Sequence, residues 1–126
     1  MKSDAIIIKS INLWLLDKGD NKKDLVIPFF KIYALELQDV TTTVGHNSKG
    51  EFIEFLNCNF LNLRLYKDKL TREECEILRN YDILSITLNL SNNSSKSYNV
   101  NWDLVNNRNK LQIIEEEKDI LKIFVG

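Results

Sequence analysis

The stretch FIEFLNCNFLNLRLY, Phe52–Tyr66, decides the fold. Apolar and polar residues alternate along it with a period of two, which is typical of a β-strand. Four apolar residues up to Phe60 share one parity, and from Leu61 onward the pattern moves to the other parity; the two sets are Phe52, Leu56, Cys58 and Phe60, then Leu61, Leu63 and Leu65. Such a one-residue shift is what a β-bulge produces, because it turns later side chains to the opposite face. We predict a long strand with a bulge or sharp bend near residues 59–61.

The residues before this strand predict its hairpin partner. Gly45 and Gly50 bracket a polar loop, GHNSKG, which has extended apolar runs on both sides and is typical of a β-hairpin. The preceding run, residues 25–44, ends in a β-branched TTTV segment that favours a strand. Pairing through the loop is expected to place Glu36 opposite Asn59.

One helix is predicted directly after the long strand. The motif TREE at residues 71–74 fits a capping box, in which the Thr71 oxygen accepts from a first-turn amide and Glu74 reaches back to the Thr71 amide. Cys75 and Leu78 contribute to a narrow apolar stripe. A helix of about three turns is marginal alone in water, so it must dock on the sheet.

Alternating apolar residues elsewhere predict the remaining strands. They occupy residues 5–16, 84–90 and 98–102 and two short runs near the C-terminus, with polar loops between them. We therefore predict one domain, residues 1–126, that is mainly β (α+β). It would be an antiparallel β-sandwich or rolled sheet of about 6–8 strands with one short helix near residues 71–81.

Composition excludes several partner classes. Lys and Arg number 17 against 18 for Asp and Glu, so the net charge of −1 argues against a nucleic-acid-binding protein. No apolar stretch approaches the ~20 residues that span a bilayer, and the N-terminal apolar run is too short for a signal peptide. We expect a soluble, cytoplasmic protein that binds no membrane, with a secreted protein as the alternative. The bias towards Asn and Lys, with a single Pro, is typical of AT-rich genomes and indicates a low-GC bacterial or phage origin.

The sequence contains no recognisable catalytic or metal constellation. His46 is the only histidine and is predicted to lie at a loop tip, whereas a catalytic triad or zinc site needs further partners. Cys58 and Cys75 lie among apolar residues and are predicted to be buried thiols, with a disulfide as the alternative. The acidic run at residues 115–119 is interpreted as a solvated hairpin tip in preference to a calcium site. No catalytic residue, metal or cofactor is predicted, and the chain is not expected to be an enzyme.

Two groups of residues form the candidate binding surface. Asparagines cluster around the predicted bulge, where strands often redirect side chains towards a site. A second group combines aromatic rings with amides, as sugar-binding surfaces do, although its rings are also suited to core packing. The two groups are Asn57, Asn59 and Asn62, then Tyr98, Asn99, Asn101 and Trp102.

These observations favour a non-enzymatic protein-binding domain that presents a sheet edge or loop tip. Its partner is expected to be another protein or a second copy of the chain. Small phage or mobile-element proteins, such as inhibitors of host defence or immunity proteins, have this size and composition. The alternative is a carbohydrate- or small-ligand-binding β-sandwich, including a virion-associated module.

Overall fold

The computed structural model describes residues 6–103 and 106–126. Residue 5 of the first predicted strand and residues 104–105 of a predicted loop lie outside the described residues. The elements, in chain order, are β1 (Ile8–Leu16), β2 (Lys22–Pro28), a 3-10 turn (Phe29–Lys31), β3 (Ile32–His46), β4 (Phe52–Tyr66), a 3-10 turn (Lys67–Lys69), α1 (Arg72–Asn80), β5 (Asp82–Leu90), β6 (Ser95–Asn99), β7 (Gln112–Glu116) and β8 (Ile120–Val125).

All eight strands belong to one curled sheet, and β4 is its centre. The order is β2-β1-β5-β6-β4-β8-β7, and β3 pairs with the other edge of β4. Near its middle β4 pairs with β6, and its last residues, 61–66, pair with β8. The predicted mainly β fold with one short helix is confirmed, in the rolled-sheet form. The β4–β6 pair is parallel, so the prediction of a purely antiparallel sheet was wrong at this point.

The core lies inside the curl of the sheet. It is built from aliphatic side chains that project inward from β1, β2, β4, β5 and β8, together with residues of α1. Burial of this apolar surface is the main stabilising term in a domain of this size. The largest fully buried side chains are Ile11, Leu13, Leu15, Ile27, Leu61, Leu63, Leu65, Leu78, Ile83, Ile86, Leu121 and Ile123.

Helix α1 begins with the predicted capping box. The Glu74 amide donates to Thr71 Oγ1 at 3.1 Å, and the Thr71 amide donates to Glu74 Oε1 at 2.9 Å. Lys31 Nζ also donates to Glu74 Oε1 at 2.8 Å, which ties the helix to the turn before β3. Burial opposes ionisation of Glu74, but these hydrogen bonds outweigh it and hold the pKa of that carboxyl below its usual value. The helix docks on the core, as predicted, through Leu78 of the predicted stripe, and also through Ile77, which the predicted stripe did not include.

The register of the β3–β4 hairpin differs from the predicted one. Glu36 lies opposite Asn62, so the predicted Glu36–Asn59 pair was wrong. The connecting loop determines this register: Asn47 Oδ1 accepts from the amides of Lys49 and Glu51 at 2.9 and 3.0 Å. Such an Asx turn stabilises a compact loop without any long-range contact.

Strand β5 does not alternate as regularly as its sequence predicts. Leu15 pairs with Ile83 and Trp14 pairs with Ser85, so one residue of β5, Leu84, is passed over in the pairing with β1. Ile83 and Ile86 are buried as a result, whereas Leu84 is only partly buried. An irregularity of this kind depends on the neighbouring strand, so it cannot be predicted from the periodicity of β5 alone.

Candidate functional site

The outer half of the β3–β4 hairpin extends beyond the core, and we call residues 40–57 the ribbon. Its apolar side chains are exposed to a degree that is unusual for strand residues: Val40 47 %, Val44 63 %, Phe52 77 % and Phe55 42 %. The ribbon contacts the rest of the sheet where Leu56 and Asn57 pair with β6. Large apolar residues that share one exposed element are the usual mark of an interaction surface.

The ribbon presents apolar side chains on both of its faces. On one face the rings of His46 and Phe52 lie opposite each other, with their centroids 4.5 Å apart. On the other face the ring of Phe55 covers Gly45, where an added Cβ would lie only 3.2 Å from a ring carbon. Gly45 therefore gives the aromatic ring room to lie flat along the strand. His46 is exposed, as predicted, but it is the last residue of β3 and pairs with Phe52, so its predicted place in the loop was wrong.

The outer edge of β3 is free of pairing within residues 6–103 and 106–126, because β3 pairs only with β4. From Val40 to His46 this edge carries no acidic, lysine or arginine side chain and no proline. Natural sheets usually protect a long edge with such residues or cover it with another element. The β3 edge of the ribbon is therefore an unprotected template for a further strand.

A bend separates the ribbon from the core half of the hairpin. The register omits a pair between Asp39 and Asn59, and Asp39 has a φ of +52°. Buried positions change parity here, from Cys58 to Leu61. The predicted fault in the strand is confirmed at this place, but both strands take part in it and no extra residue is inserted in β4.

Lys110 stabilises this bend from the side. Its Nζ donates to the carbonyl oxygens of Cys58 and Asn59, both at 2.9 Å, and lies 3.4 Å from Asn59 Oδ1. Its backbone amide donates to Asn101 Oδ1 at 3.1 Å, so the side-chain oxygen of the buried Asn101 has a hydrogen-bond donor. Burial lowers the pKa of the Lys110 ammonium group. Burial also raises the pKa of the Cys58 thiol to about 11, partly offset by Lys110, so this cysteine stays an unreactive thiol at neutral pH.

Four of the predicted asparagines surround the base of the ribbon. Asn57 Nδ2 donates to Thr43 Oγ1 at 3.1 Å, and Asn99 Nδ2 donates to Asn57 Oδ1 at 3.5 Å across the parallel β4–β6 pair. Asn59 and Asn101 both bind Lys110. These amides are engaged by the protein itself, and they hold the ribbon at its base.

The other predicted residues lie elsewhere. Asn62 is on the outer face of β4, beside Glu36 and Phe124, where it borders a separate pocket. Tyr98 is half-buried and packs against the core, whereas Trp102 is 47 % exposed. The aromatic pair is therefore divided between core and surface.

Other candidate groups form contacts within the protein. Cys58 and Cys75 are free, buried thiols. Arg79 Nε donates to Glu116 Oε1 at 2.6 Å, and Glu115 pairs with Lys122 at 3.7 Å. In the part of the chain that the structure describes, no group of three or more His, Cys, Asp or Glu side chains has the arrangement of a metal site. None of its helices is both long and apolar enough to cross a membrane.

Comparison with known proteins finds no matching family model, no matching curated protein and no matching solved structure. The surface of the chain itself therefore carries the functional argument.

The apolar residues of the ribbon were missed as site residues because their alternation is the same as that of a core strand. A weak signal is present in the sequence. In the ribbon, the β3 residues opposite the apolar residues of β4 are mostly threonines and glycine. The two strands therefore lack the matched pairs of large aliphatic residues that the buried half has. Leu35 opposite Leu63 and Leu37 opposite Leu61 show how the buried half differs.

Proposed function

We propose that this chain is a non-enzymatic protein-binding domain and that its binding surface is the ribbon. The observation that carries the proposal is the exposure of Val44 and Phe52, at 63 % and 77 %, next to an unprotected sheet edge. Exposed apolar patches mark interaction sites on soluble proteins, and free edges bind extended segments by strand addition.

Both parts of this surface have a physical role in binding. Main-chain donors and acceptors along β3 supply affinity for an added strand, while the side chains on the two ribbon faces supply specificity. Phe52 and Phe55 offer large, rigid contact area, and aromatic residues often dominate the binding energy of an interface. The bend at Asp39, held by Lys110, supports the proposal because it sets the direction of the ribbon relative to the core.

The absence of catalytic machinery from the sequence motivates the non-enzymatic part of the proposal. The lone histidine, His46, lies against Phe52 with the two rings tilted, and in the described part of the chain no group of three or more His, Cys, Asp or Glu side chains is arranged as a metal site. Within the protein-binding class, we favour an inhibitor or immunity protein encoded by a phage or mobile element of a low-GC bacterium, on grounds of size, near-neutral charge and amino-acid bias.

The test compares two matched double variants in affinity capture from a lysate of the source organism, followed by reconstitution with the purified partner. Val44→Ser with Phe52→Ser removes a valine and a phenylalanine from the ribbon. Val26→Ser with Phe29→Ser removes the same pair of residue types from β2 and the turn after it, where the exposures are 54 % and 62 %. We expect the wild type and the control to bind one protein stoichiometrically and the ribbon variant to lose it. Equal binding by all three proteins contradicts the proposal.

A second candidate function rests on the exposure of Trp102. An exposed indole is suited to stacking on a sugar ring, so a carbohydrate- or small-ligand-binding role, including that of a virion-associated module, is the alternative. The test is a glycan array with the wild type and Trp102→Ala, with Trp14→Phe as the control for the other exposed tryptophan. Glycan binding that Trp102→Ala alone abolishes supports this alternative.

A further inference from the structure

We infer that the outer edge of β3 pairs with the same edge of a second copy of this chain, in an antiparallel register centred on Thr42. This inference rests on the proposed role of the ribbon in protein binding and assigns its free edge to a second copy of the chain. It starts from the sequence of the free edge: residues 40–44 are VTTTV, which reads the same in both directions.

A palindromic edge is self-complementary in an antiparallel pair. If Thr42 lies opposite its own copy, Val40 lies opposite Val44 of the other chain and Thr41 lies opposite Thr43. Directly opposite residues lie on the same face of a sheet, so the valines meet on one face and two Thr–Thr pairs form on the other. β-Branched and Thr–Thr pairs of this kind are favourable cross-strand neighbours.

No charge repulsion opposes this register. The first charged residue on either side of the VTTTV segment along β3 is Asp39, and the register places it opposite Gly45. At the other end the pairing stops where β3 ends at His46. The positive φ of Asp39 interrupts the ladder at the inner end. The free edge is therefore a short, neutral segment. An antiparallel pair centred on Thr42 has a two-fold axis at that residue, so the paired segment begins and ends at the same residues in both copies.

Comparison with the other two edges of the sheet supports the choice of this one. β2 carries Lys22, Lys23 and Asp24 and ends at Pro28, and β7 ends with two glutamates. Charges and proline on an edge strand oppose pairing with another chain. Among the sheet edges in the described part of the chain, the β3 edge alone lacks these protective residues, over residues 40–46.

The interface is small, which determines how the dimer should behave. A stable, specific interface commonly buries about 1,200–2,000 Å² in total, more than a five-residue strand pair with its valines provides. The dimer is accordingly weak, and its population depends on protein concentration. Phe52 and Phe55 remain accessible beside the axis for a further partner.

Analytical ultracentrifugation over a concentration series tests the register directly. The wild type should show a weight-average mass that rises from that of the monomer towards twice that value. Thr42→Lys and Thr42→Glu each place like charges opposite each other at the axis, so each should weaken self-association about tenfold or more. An equimolar mixture of the two variants should associate at least as strongly as the wild type, since Lys then faces Glu. Val26→Lys, the matched change on the β2 edge, should leave association unchanged.

Disulfide cross-linking is a second test, and it can detect a dimer even when the dimer is only weakly populated. In this register the Cα atoms of the two Thr42 residues are about 4.5–5.5 Å apart, within reach of a disulfide bond. Thr42→Cys should therefore cross-link to a covalent dimer under mild oxidation, whereas Val26→Cys should not. The native cysteines do not compete, because both are buried.

Three results overturn the inference: a wild type that stays monomeric at every concentration, lysine and glutamate variants that associate like the wild type, or a mixture that fails to recover. If any of these occurs while the Val44→Ser, Phe52→Ser variant still loses a captured protein, the proposed function stands and only the self-pairing of the β3 edge is wrong. If that variant also retains its captured protein, the proposed function fails too.

Discussion

The two halves of the β3–β4 hairpin have similar alternation and share one register from Ala34 to His46, but they have opposite environments. On the core side of the bend, Leu61, Leu63 and Leu65 are fully buried. On the ribbon side, Val44 and Phe52 are exposed at 63 % and 77 %. The difference lies in their neighbours: β8 pairs with β4 in the core half, whereas the ribbon pairs with β6 only at its base. Apolar alternation therefore indicates that one face of a strand favours burial. It does not indicate whether that face is buried by the same chain or by a partner.

The largest expected effect is in the core half. Leu63→Ala removes a fully buried side chain and leaves a cavity in the core, so it should lower the free energy of unfolding by ~2–5 kcal/mol. Chemical denaturation monitored by circular dichroism measures the loss. A change below 0.5 kcal/mol, roughly the level of a neutral surface substitution, would mean that the two halves are not different.

The bend between the halves should be the next most sensitive point. Lys110→Met keeps much of the side-chain volume but leaves the carbonyl groups of Cys58 and Asn59 without their lysine donor. We expect a loss of about 1–3 kcal/mol, the usual contribution of hydrogen bonds that a charged group donates. Lys96→Met, at an exposed position on β6, is the control and should have little effect. Equal stability of both variants contradicts the proposed role of Lys110 at the bend.

Helix α1 packs against the same core as the buried half of the hairpin, and its N-terminal cap is the third site to test. Thr71→Ala removes the acceptor for the Glu74 amide and should lower stability by about 1 kcal/mol. Thr71→Ser retains the hydroxyl oxygen and should preserve most of the stability. The unfolding midpoints of the two variants therefore separate the cap from the loss of a methyl group.

A smaller, pH-dependent effect should come from the Lys31–Glu74 ion pair. Because the folded protein holds the pKa of Glu74 below its usual value, Glu74 contributes stability above the pKa of an unfolded glutamate, about 4.3, and loses it as the pH falls through the lowered value. Lys31→Met removes the partner and should cost about 0.5 kcal/mol at neutral pH. The difference from the wild type should shrink as the pH falls below about 4. A constant difference across this range would contradict the assignment.

The smallest effect on stability is expected in the ribbon. Phe52→Ser changes a side chain that is 77 % exposed, so the unfolding free energy of the monomer should stay within about 0.5 kcal/mol of the wild type. The measurement belongs at low protein concentration, where self-association does not contribute. A loss comparable to that of Leu63→Ala would show that the ribbon is part of the folded core.

Local signals accounted for the elements that depend on nearby residues. The helix and its cap, the hairpin loop and the fault in the long strand were all predicted correctly, because each depends on side chains a few residues apart. The register, the irregularity at Leu84 and the parallel β4–β6 pair were not, since each depends on a strand that is distant in the chain. The asparagine prediction located the base of the ribbon, but not the apolar surface beyond it.

The sequence by itself determined the fold class, the helix and the position of the bend, because alternation, capping and turn chemistry act over short distances. Only the tertiary structure decided which half of β4 is core and which half is surface. The same alternating strand is buried where it pairs with β8 and faces the core, and it is exposed where no further strand of the described residues accompanies it. Burial depends on what packs against a residue, and that information resides in contacts between distant parts of the chain.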